Sequence, residues 1–169
     1  MAAGATYEPI ATTTVTGAAA EITLSSIPAT YTDLRLVVYA LVNGVASADV
    51  LIRFNSDTGT NYSYTEIWGQ GTAASSARGT SQSSIKITES AVGTTNGGLV
   101  TVDLISYAGS TYKSVLTTGS QDNNGSGYVV RGVGLWRSTS AITSIKIRTS
   151  YDNKMGIGST ATLYGIKAA

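Results

Sequence analysis

The sequence contains no cysteine and no histidine. A chain without cysteine forms no disulfides and has no thiolate ligands for a structural zinc site. The absence of histidine removes the commonest general base and the commonest ligand of transition metals. These two absences narrow the catalytic and metal chemistry that the chain can carry out, and we predict that it uses no cofactor.

Charged residues are also scarce, because Asp, Glu, Lys and Arg make up 12% of the 169 residues and the net charge is +1. Average soluble domains contain about twice that share. Binding to nucleic acid requires clustered Lys and Arg, so the composition argues against a nucleic-acid partner. Abundant Ser and Thr, with 19 Gly, give a polar but uncharged surface that suits packing against copies of the chain or a partner. A secreted β-domain with such a surface is the alternative.

Long apolar segments are missing as well. The longest apolar run, Leu36 to Val42, is far shorter than the ~20 residues that span a bilayer as a helix. The first ten residues have no basic region followed by an apolar core, so they do not form a signal peptide. We therefore predict synthesis in a cytosol, without signal-directed export and without a membrane partner.

Thr, Val, Ile and Tyr recur in short runs that are separated by Gly, Asn, Asp and Ser, a pattern typical of strands and turns. Val100, Val102 and Leu104 alternate with polar residues, which predicts one buried and one solvated face. About ten to eleven such segments predict an all-β fold, an antiparallel β-sandwich of jelly-roll type. The predicted strand Leu34–Val42 is different, because its residues Leu36 to Val42 are apolar on both faces, which predicts a central strand or one packed on another subunit.

The organisation of the chain is simple. Residues 1–9 are predicted to be an N-terminal arm, and residues 10–169 a single β-sandwich domain. Gly71–Ser84, rich in Ala, Ser and Gly, is predicted to be a mobile loop. We expect removal of residues 1–9 to weaken docking to a partner but to leave the fold intact.

Candidate catalytic groups are few, and we predict that the chain is not an enzyme. Its carboxylates, among them Glu66, Glu89 and Asp103, show no spacing that selects a pair of the kind a glycosidase needs. Ser110 and Lys113 have the Ser-x-x-Lys spacing, but they straddle a turn that leads into a strand instead of sharing a helix face. No phosphate-binding glycine loop precedes a helix.

One loop, from Asn55 to Asn61, has oxygen-bearing side chains at alternate positions with Gly59 between them, the type of pattern that holds Ca²⁺. Its candidate cation ligands are Asn55, Asp57 and Asn61. Only one of these is charged, and Asn and Asp commonly cap their own backbone in turns. A turn without a metal is the favoured interpretation.

Aromatic residues are the remaining candidates, since the chain has 10 Tyr and 2 Trp but only 1 Phe. Tyr and Trp suit half-buried interfaces and sugar-stacking surfaces. Even spacing places Tyr62, Tyr64 and Trp68 on one strand face, where a subunit interface or the sheet core is favoured over a glycan platform. The predicted interface residues are Tyr7, Pro9, Ile10, Tyr39, Tyr62, Tyr64, Trp68 and Trp136.

Several segments, in order along nearly the whole chain, resemble a family of structural proteins of tailed-bacteriophage virions. They are Tyr7–Thr12, Ile22–Leu34, Arg53–Tyr62, Trp136 with Ala141–Ile145, and Gly158–Ile166. The resemblance implies a β-sandwich on the capsid surface or in the tail and carries no catalytic residues. It favours a capsid decoration (cement) protein over a long tail fibre, because the fibre would need a shaft and no further domain is expected.

These observations predict a homotrimer on the virion surface that clamps the major capsid protein. The alternative is a tail or head-fibre adhesin that binds host-surface glycan through Tyr62, Tyr64, Trp68 or Trp136. A small glycan-cleaving enzyme is the third class, and it would require two carboxylates that face each other in a cleft.

Overall fold

The computed structural model describes residues 6–17, 19–89, 93–152 and 155–167. These residues form twelve strands and no helix, so none of them provides an apolar helix of membrane-spanning length. The strands are β1 (Tyr7–Thr14), β2 (Glu21–Leu24), β3 (Asp33–Ala40), β4 (Val50–Phe54), β5 (Tyr62–Gln70), β6 (Ala73–Gln82), β7 (Ile85–Lys86), β8 (Gly98–Ile105), β9 (Lys113–Gln121), β10 (Tyr128–Trp136), β11 (Ile145–Thr149) and β12 (Thr160–Ile166).

The strands build two antiparallel sheets of unequal width. The large sheet has the order β1-β12-β3-β8-β9-β10-β5-β6, and the small sheet has the order β2-β11-β4-β7. Every connection between consecutive strands crosses from one sheet to the other, except β5 to β6, β8 to β9 and β9 to β10, which stay within the large sheet. This nesting is that of a jelly roll whose eight strands are β1, β12, β3 and β8 over β2, β11, β4 and β7. The predicted all-β sandwich is confirmed.

Two hairpins are inserted into this jelly roll. The hairpin β5–β6 lies between β4 and β7, and the strands β9 and β10 lie between β8 and β11. The two insertions pair with each other through β10 and β5 and extend the large sheet by four strands. We call β9, β10, β5 and β6 the extension of the large sheet.

The core lies between the sheets and follows the two-residue period of the strands. On β3, Leu34, Leu36 and Val38 point inward and are buried, as are Ile145 and Ile147 on β11. The extension packs on β7 through small residues: a Cβ at Gly134 of β10 would lie 2.6 Å from the Ile85 side chain. Glycine at this position therefore lets the small sheet reach beneath the extension.

Two predictions about the organisation of the chain are wrong. Gly71–Ser84 is not a loop, because Ala73–Gln82 forms β6 at the edge of the large sheet, paired with β5. Its Ala, Ser and Gly residues have low strand propensity, and only the tertiary pairing reveals the strand. The arm boundary at residue 9 is also wrong: Tyr7, Glu8 and Pro9 belong to β1 and pair with β12. Residues 1–5 of the predicted arm lie outside the described part of the chain.

Because β1 begins at Tyr7, removal of residues 1–9 should also lower the stability of the fold. A chain that begins at residue 10 loses the pairing of Tyr7, Glu8 and Pro9 with β12, and the Glu8 bonds to Lys167 (2.7 Å) and Tyr31 (3.2 Å). We expect its melting temperature to lie roughly 4–8 °C below that of a chain that begins at residue 6. Differential scanning calorimetry of the two chains measures this difference. Equal melting temperatures would restore the arm boundary at residue 9.

Candidate contact surfaces

The outer face of the extension carries exposed aliphatic side chains. Ile67 of β5 is 60% exposed, Val129 and Val133 of β10 are 65% and 46% exposed, and Leu116 of β9 is 43% exposed. Val133 lies directly opposite Leu116 in the β10–β9 register, and Arg131 lies opposite Ile67 in the β10–β5 register. We call Ile67, Leu116, Val129 and Val133 the aliphatic patch. Such a group on a soluble chain is typical of a protein contact surface.

The patch is nearly flat. One shallow depression of about 640 Å³ lies beside it, lined by Ile67, Trp68 and Val129 together with the small residues Ala74–Ser76 of β6. The charged side chain that borders this depression is Arg131, which donates a hydrogen bond to Thr118 at 3.0 Å. A flat, apolar and weakly charged surface suits another protein surface better than a small ligand.

The jelly-roll half of the same outer face is different, because charged and aromatic side chains there contact one another. Arg35 of β3 and Asp103 of β8 form a bidentate ion pair, with N–O distances of 2.6 and 3.0 Å. The Arg35 guanidinium lies 5.7 Å from the centre of the Tyr7 ring, and Tyr7 contacts Tyr164 edge to face. Leu99 (49% exposed) and Ile105 (52% exposed) also lie on this half, but near opposite ends of β8. The exposed aliphatic residues of the extension instead lie together on adjacent strands, so the extension is the better candidate for binding.

The predicted interface residues separate into three groups. Tyr7, Pro9 and Tyr39 are exposed on the outer face or edge of the large sheet, whereas Ile10 is half-buried against the core. Tyr64 and Trp68 are half-buried on the inner face of β5, which they share with Tyr62 as the spacing predicted. Tyr62 and Trp136 are buried, so their prediction as interface or glycan-stacking residues is wrong.

Tyr62 and Trp136 belong to an aromatic cluster inside the sandwich. They are opposite each other in the β5–β10 register, their rings stack at 6.2 Å, and Phe54 lies 5.6 Å from the Trp136 ring. The Tyr62 hydroxyl accepts a hydrogen bond from the Phe54 N–H at 3.1 Å, and burial raises the pKa of Tyr62 to about 12. The aromatic rings thus fill the core where β4, β5 and β10 meet.

The loop from Asn55 to Asn61 closes over this cluster. Asp57 accepts hydrogen bonds from the Trp136 indole N–H (2.7 Å), the Asn61 amide (2.9 Å) and the Gly59 N–H (2.8 Å). These donors, Trp136 foremost, hold the pKa of Asp57 below its ordinary value. Asn55 accepts hydrogen bonds from the Thr143 and Ser144 N–H groups. The oxygens proposed as cation ligands on Asn55 and Asp57 therefore accept N–H bonds, as in a structural turn.

An ion cluster is buried behind the aliphatic patch. Glu66 of β5 is 2% exposed, and its Oε1 lies 2.6 Å from Lys86 Nζ of β7. Lys86 also pairs with Glu89, and its ammonium lies 5.5 Å from the Tyr64 ring centre and 6.0 Å from that of Trp68. The two carboxylates therefore share one ammonium between the sheets.

The charge balance of this cluster shifts the pKa of Glu66. Burial raises the pKa of Glu66 to about 7, and hydrogen bonding to Glu89 acts in the same direction, while Lys86 opposes the shift. Protonated Glu66 can donate to Glu89, whereas two ionised carboxylates beside one ammonium leave a buried excess of negative charge. Glu66 and Glu89 lie together, although no spacing in the sequence selects this pair, but Glu66 is buried and does not face a substrate cleft.

Lys113 has a structural environment as well. Its Nζ donates to the carbonyl oxygens of Gly109 at 2.6 Å and of Thr139 at 3.5 Å, and burial lowers its pKa. Ser110 is exposed in the intervening loop, and no hydrogen bond joins it to Lys113. Lys113 therefore has a structural role, because its ammonium joins the loop before β9 to the loop after β10.

A polar cavity of about 310 Å³ lies at the loop end of the extension. Asn96 donates its amide hydrogen to the Asn123 side-chain oxygen at 2.9 Å, and Gln121, Gln70 and Tyr128 contribute further to the wall. All the residues that line this cavity are uncharged. Amides, hydroxyls and one aromatic ring are the groups that hydrogen-bond and stack with neutral sugars.

Sequence reasoning missed the aliphatic patch. The signal was present, because Tyr128-Val129-Val130 and Val115-Leu116 are apolar on both faces, as Leu36 to Val42 is. Without the pairing of β10 with β5, however, an apolar residue at an outward position cannot be assigned to a cluster. The neighbours of the patch come from two insertions that are distant in the chain.

No family model, no curated protein and no solved structure matches this chain. The resemblance to virion proteins therefore stays a prediction, and the surfaces described above carry the functional argument.

The ion cluster predicts a specific dependence of stability on pH. The pKa of Glu66 is higher in the folded chain than its ordinary value of 4.5. The folded chain therefore binds this proton more tightly than the unfolded chain does, and protonation of Glu66 stabilises the fold. The free energy of unfolding should therefore fall as the pH rises from about 4.5 to about 7, by an amount on the order of 1–3 kcal/mol. Glu66→Gln should remove most of this slope, as urea unfolding at several pH values measures.

The matched control for this prediction is Glu21→Gln, which removes the half-exposed carboxylate that pairs with Lys146 at 2.5 Å. This variant should keep the slope of the parent chain between pH 4.5 and 7. An unchanged slope in Glu66→Gln would show that Glu66 does not titrate in this range.

Proposed function

We propose that this chain is a structural protein of a tailed-bacteriophage virion, a capsid decoration protein that binds the major capsid shell and catalyses no reaction. The observation that carries the proposal is the aliphatic patch on the extension, beside a jelly-roll half whose polar groups are already paired. The resemblance of the sequence to virion proteins supplies the class of partner.

The size of the surface is consistent with a protein that binds in many copies. Four strands of about nine residues present a face of roughly 500–600 Å². A stable interface buries about 800 Å² on each partner, so a single copy would bind weakly. A shell offers many identical sites, and linked copies gain strength by avidity. A low-affinity face on a self-associating protein therefore suits decoration of a lattice.

The charge of the chain supports assembly of copies with each other. A net charge of +1 leaves little electrostatic repulsion between neighbouring molecules. On the basis of the resemblance to virion proteins, we also propose that the protein lies on the capsid surface and assembles as a homotrimer. The absence of catalysis belongs to the proposal as well: Glu66 and Glu89 both contact Lys86 beneath the sheet, and Glu66 is buried away from any cleft.

The proposal predicts that a charge in the aliphatic patch abolishes binding to the shell. Val129→Asp should lower the affinity for empty shells of the major capsid protein encoded by the same genome at least tenfold, because burial of an unpaired carboxylate is costly. Co-sedimentation with the shells measures the bound fraction. The matched control is Thr14→Asp, an exposed position on the outer face of the jelly-roll half.

Both variants should melt like the parent chain, since both side chains are exposed. Equal binding of Val129→Asp and the parent chain would remove the patch from the interface. Failure of the parent chain itself to bind the shells would overturn the proposed function.

A second candidate function, adhesion to glycan, is favoured by the uncharged cavity at the loop end of the extension. The buried Tyr62 and Trp136 are no longer available for sugar stacking, but Tyr128 lies in the cavity wall. Its volume of about 310 Å³ is at the lower end of the range for ligand pockets.

This candidate predicts that a glycan array gives a signal for neutral sugars. Tyr128→Ala should abolish that signal, since it removes the aromatic ring from the cavity wall. Tyr112→Ala, which removes an exposed tyrosine at the opposite end of β9, should keep it. An array without binding by the parent chain would eliminate the adhesin.

A further inference from the structure

The two sheets have four edge strands, and three of them are short or protected against pairing with another chain. β2 and β7, the edges of the small sheet, have only four and two residues. β1 is interrupted by Pro9 and a bulge, and the charged pair of Glu8 with Lys167 flanks its first residues. Short length, proline, bulges and charges are the features that keep edges from pairing.

The fourth edge, β6, has a bulge near its end, where its register with β5 shifts and Ser81 has a positive φ, but residues 73–79 pair with β5 without interruption. It is ten residues long, contains no proline, and carries a single charge at Arg78 among Ala, Ser, Gly, Thr and Gln. All its residues are exposed except Ala77, which is half-buried, and Gly79, which is buried against the Tyr64 ring. β5 is its neighbour within the described part of the chain. The N–H and C=O groups of alternate residues therefore face outward, ready for another strand.

We propose that β6 pairs antiparallel with β6 of a second copy of this chain, across a two-fold axis perpendicular to the sheet. The two large sheets then form one continuous sheet. The occupant is a second copy because β6 is self-complementary: apart from Arg78 its side chains in the regular segment, residues 73–79, are small and uncharged, so an identical strand can approach along this segment. A two-fold contact of this kind also closes on itself, so it does not propagate into a filament.

The register follows from the single charge. An axis perpendicular to the sheet requires residues on the same face to lie opposite each other, so the ladder is centred on one residue. Centring it on Ala77 places each Arg78 opposite Ser76 of the other copy and keeps the two guanidiniums apart. The neighbouring register, centred on Arg78, would oppose two arginines and is disfavoured.

The pairing also deepens the proposed function, on which this one step rests. A two-fold axis perpendicular to the sheet leaves both aliphatic patches on the same side of the dimer. Two faces of roughly 500–600 Å² each would then together exceed the roughly 800 Å² that each partner buries in a standard interface. The dimer would therefore bind a shell much more tightly than one copy.

The test is the mass of the purified chain in solution, measured by light scattering and analytical ultracentrifugation between about 1 and 500 µM, a range suited to a small interface. A dimer, or a hexamer that combines this two-fold axis with the predicted three-fold axis, supports the pairing. A monomer or a trimer over the whole range overturns it. No shell is present, so failure of the pairing is observed separately from failure of shell binding.

Charge substitutions test the register. Ser76→Lys places a lysine opposite Arg78 of the other copy and should weaken the association at least tenfold, whereas Ser76→Asp faces the same arginine and should retain or strengthen it. Thr14→Lys, at the β1 edge of the same sheet, is the matched control and should have no effect. Dimers that persist equally in Ser76→Lys and in the parent chain would show that a different surface joins the copies.

Hydrogen exchange gives a second readout that does not depend on the register. In the paired state the amides of residues 73–79 should all be protected, whereas in the Ser76→Lys chain only alternate amides of this segment, those bonded to β5, should remain slow. Alternate protection in the parent chain at its highest concentration would exclude the strand pairing.

Discussion

The hydrogen bonds accepted by the Asp57 carboxylate stabilise the place where both insertions join the jelly roll. Asp57 follows the end of β4, precedes the start of β5, and accepts the indole N–H of Trp136 at the end of β10. One side chain thus connects a jelly-roll strand with one strand from each insertion, while the rings of Phe54, Tyr62 and Trp136 fill the space beneath it. Because β5 and β10 pair along their whole length from this point, the direction of the extension is determined here.

The unequal width of the sheets explains where the contact surfaces lie. The small sheet ends at β7, which packs beneath β10 and β5, and β6 continues past it. Gly134 allows Ile85 of β7 to approach the inner face closely, and Gly119 does the same for Ile87 and Thr88, which follow β7. The outer face and the free edge of the extension have no such cover, and they hold the aliphatic patch and the unprotected strand. Core packing and contact surfaces are therefore separated on opposite sides of the same strands.

Most of the fold was predictable from local patterns, because alternation and turn residues are properties of neighbouring positions. The strands containing Val100–Leu104 and Ile145–Ile147 were found in this way. β6 was not, since alanine and serine form a strand here only because β5 offers a ladder. The even spacing of Tyr62, Tyr64 and Trp68 correctly predicted a shared face, but spacing alone does not tell which face is inward. The same limit made Tyr62 and Trp136 look like interface residues, and it hid Ile67 and Val129.

The buried ion cluster connects the two sides of the extension. Glu66 lies on the inner face of β5, and its chain neighbours Thr65 and Ile67 lie on the outer face, so any change that loosens Glu66 also moves the surface beside the patch. Ionisation of Glu66 near pH 7 adds a second buried negative charge beside Lys86 and Glu89. β5 therefore carries both Glu66, whose ionised form is disfavoured by burial, and Ile67, which belongs to the aliphatic patch proposed to bind. Because β6 is attached to the sheet only through β5, the stability of this one strand limits both the contact face and the free edge.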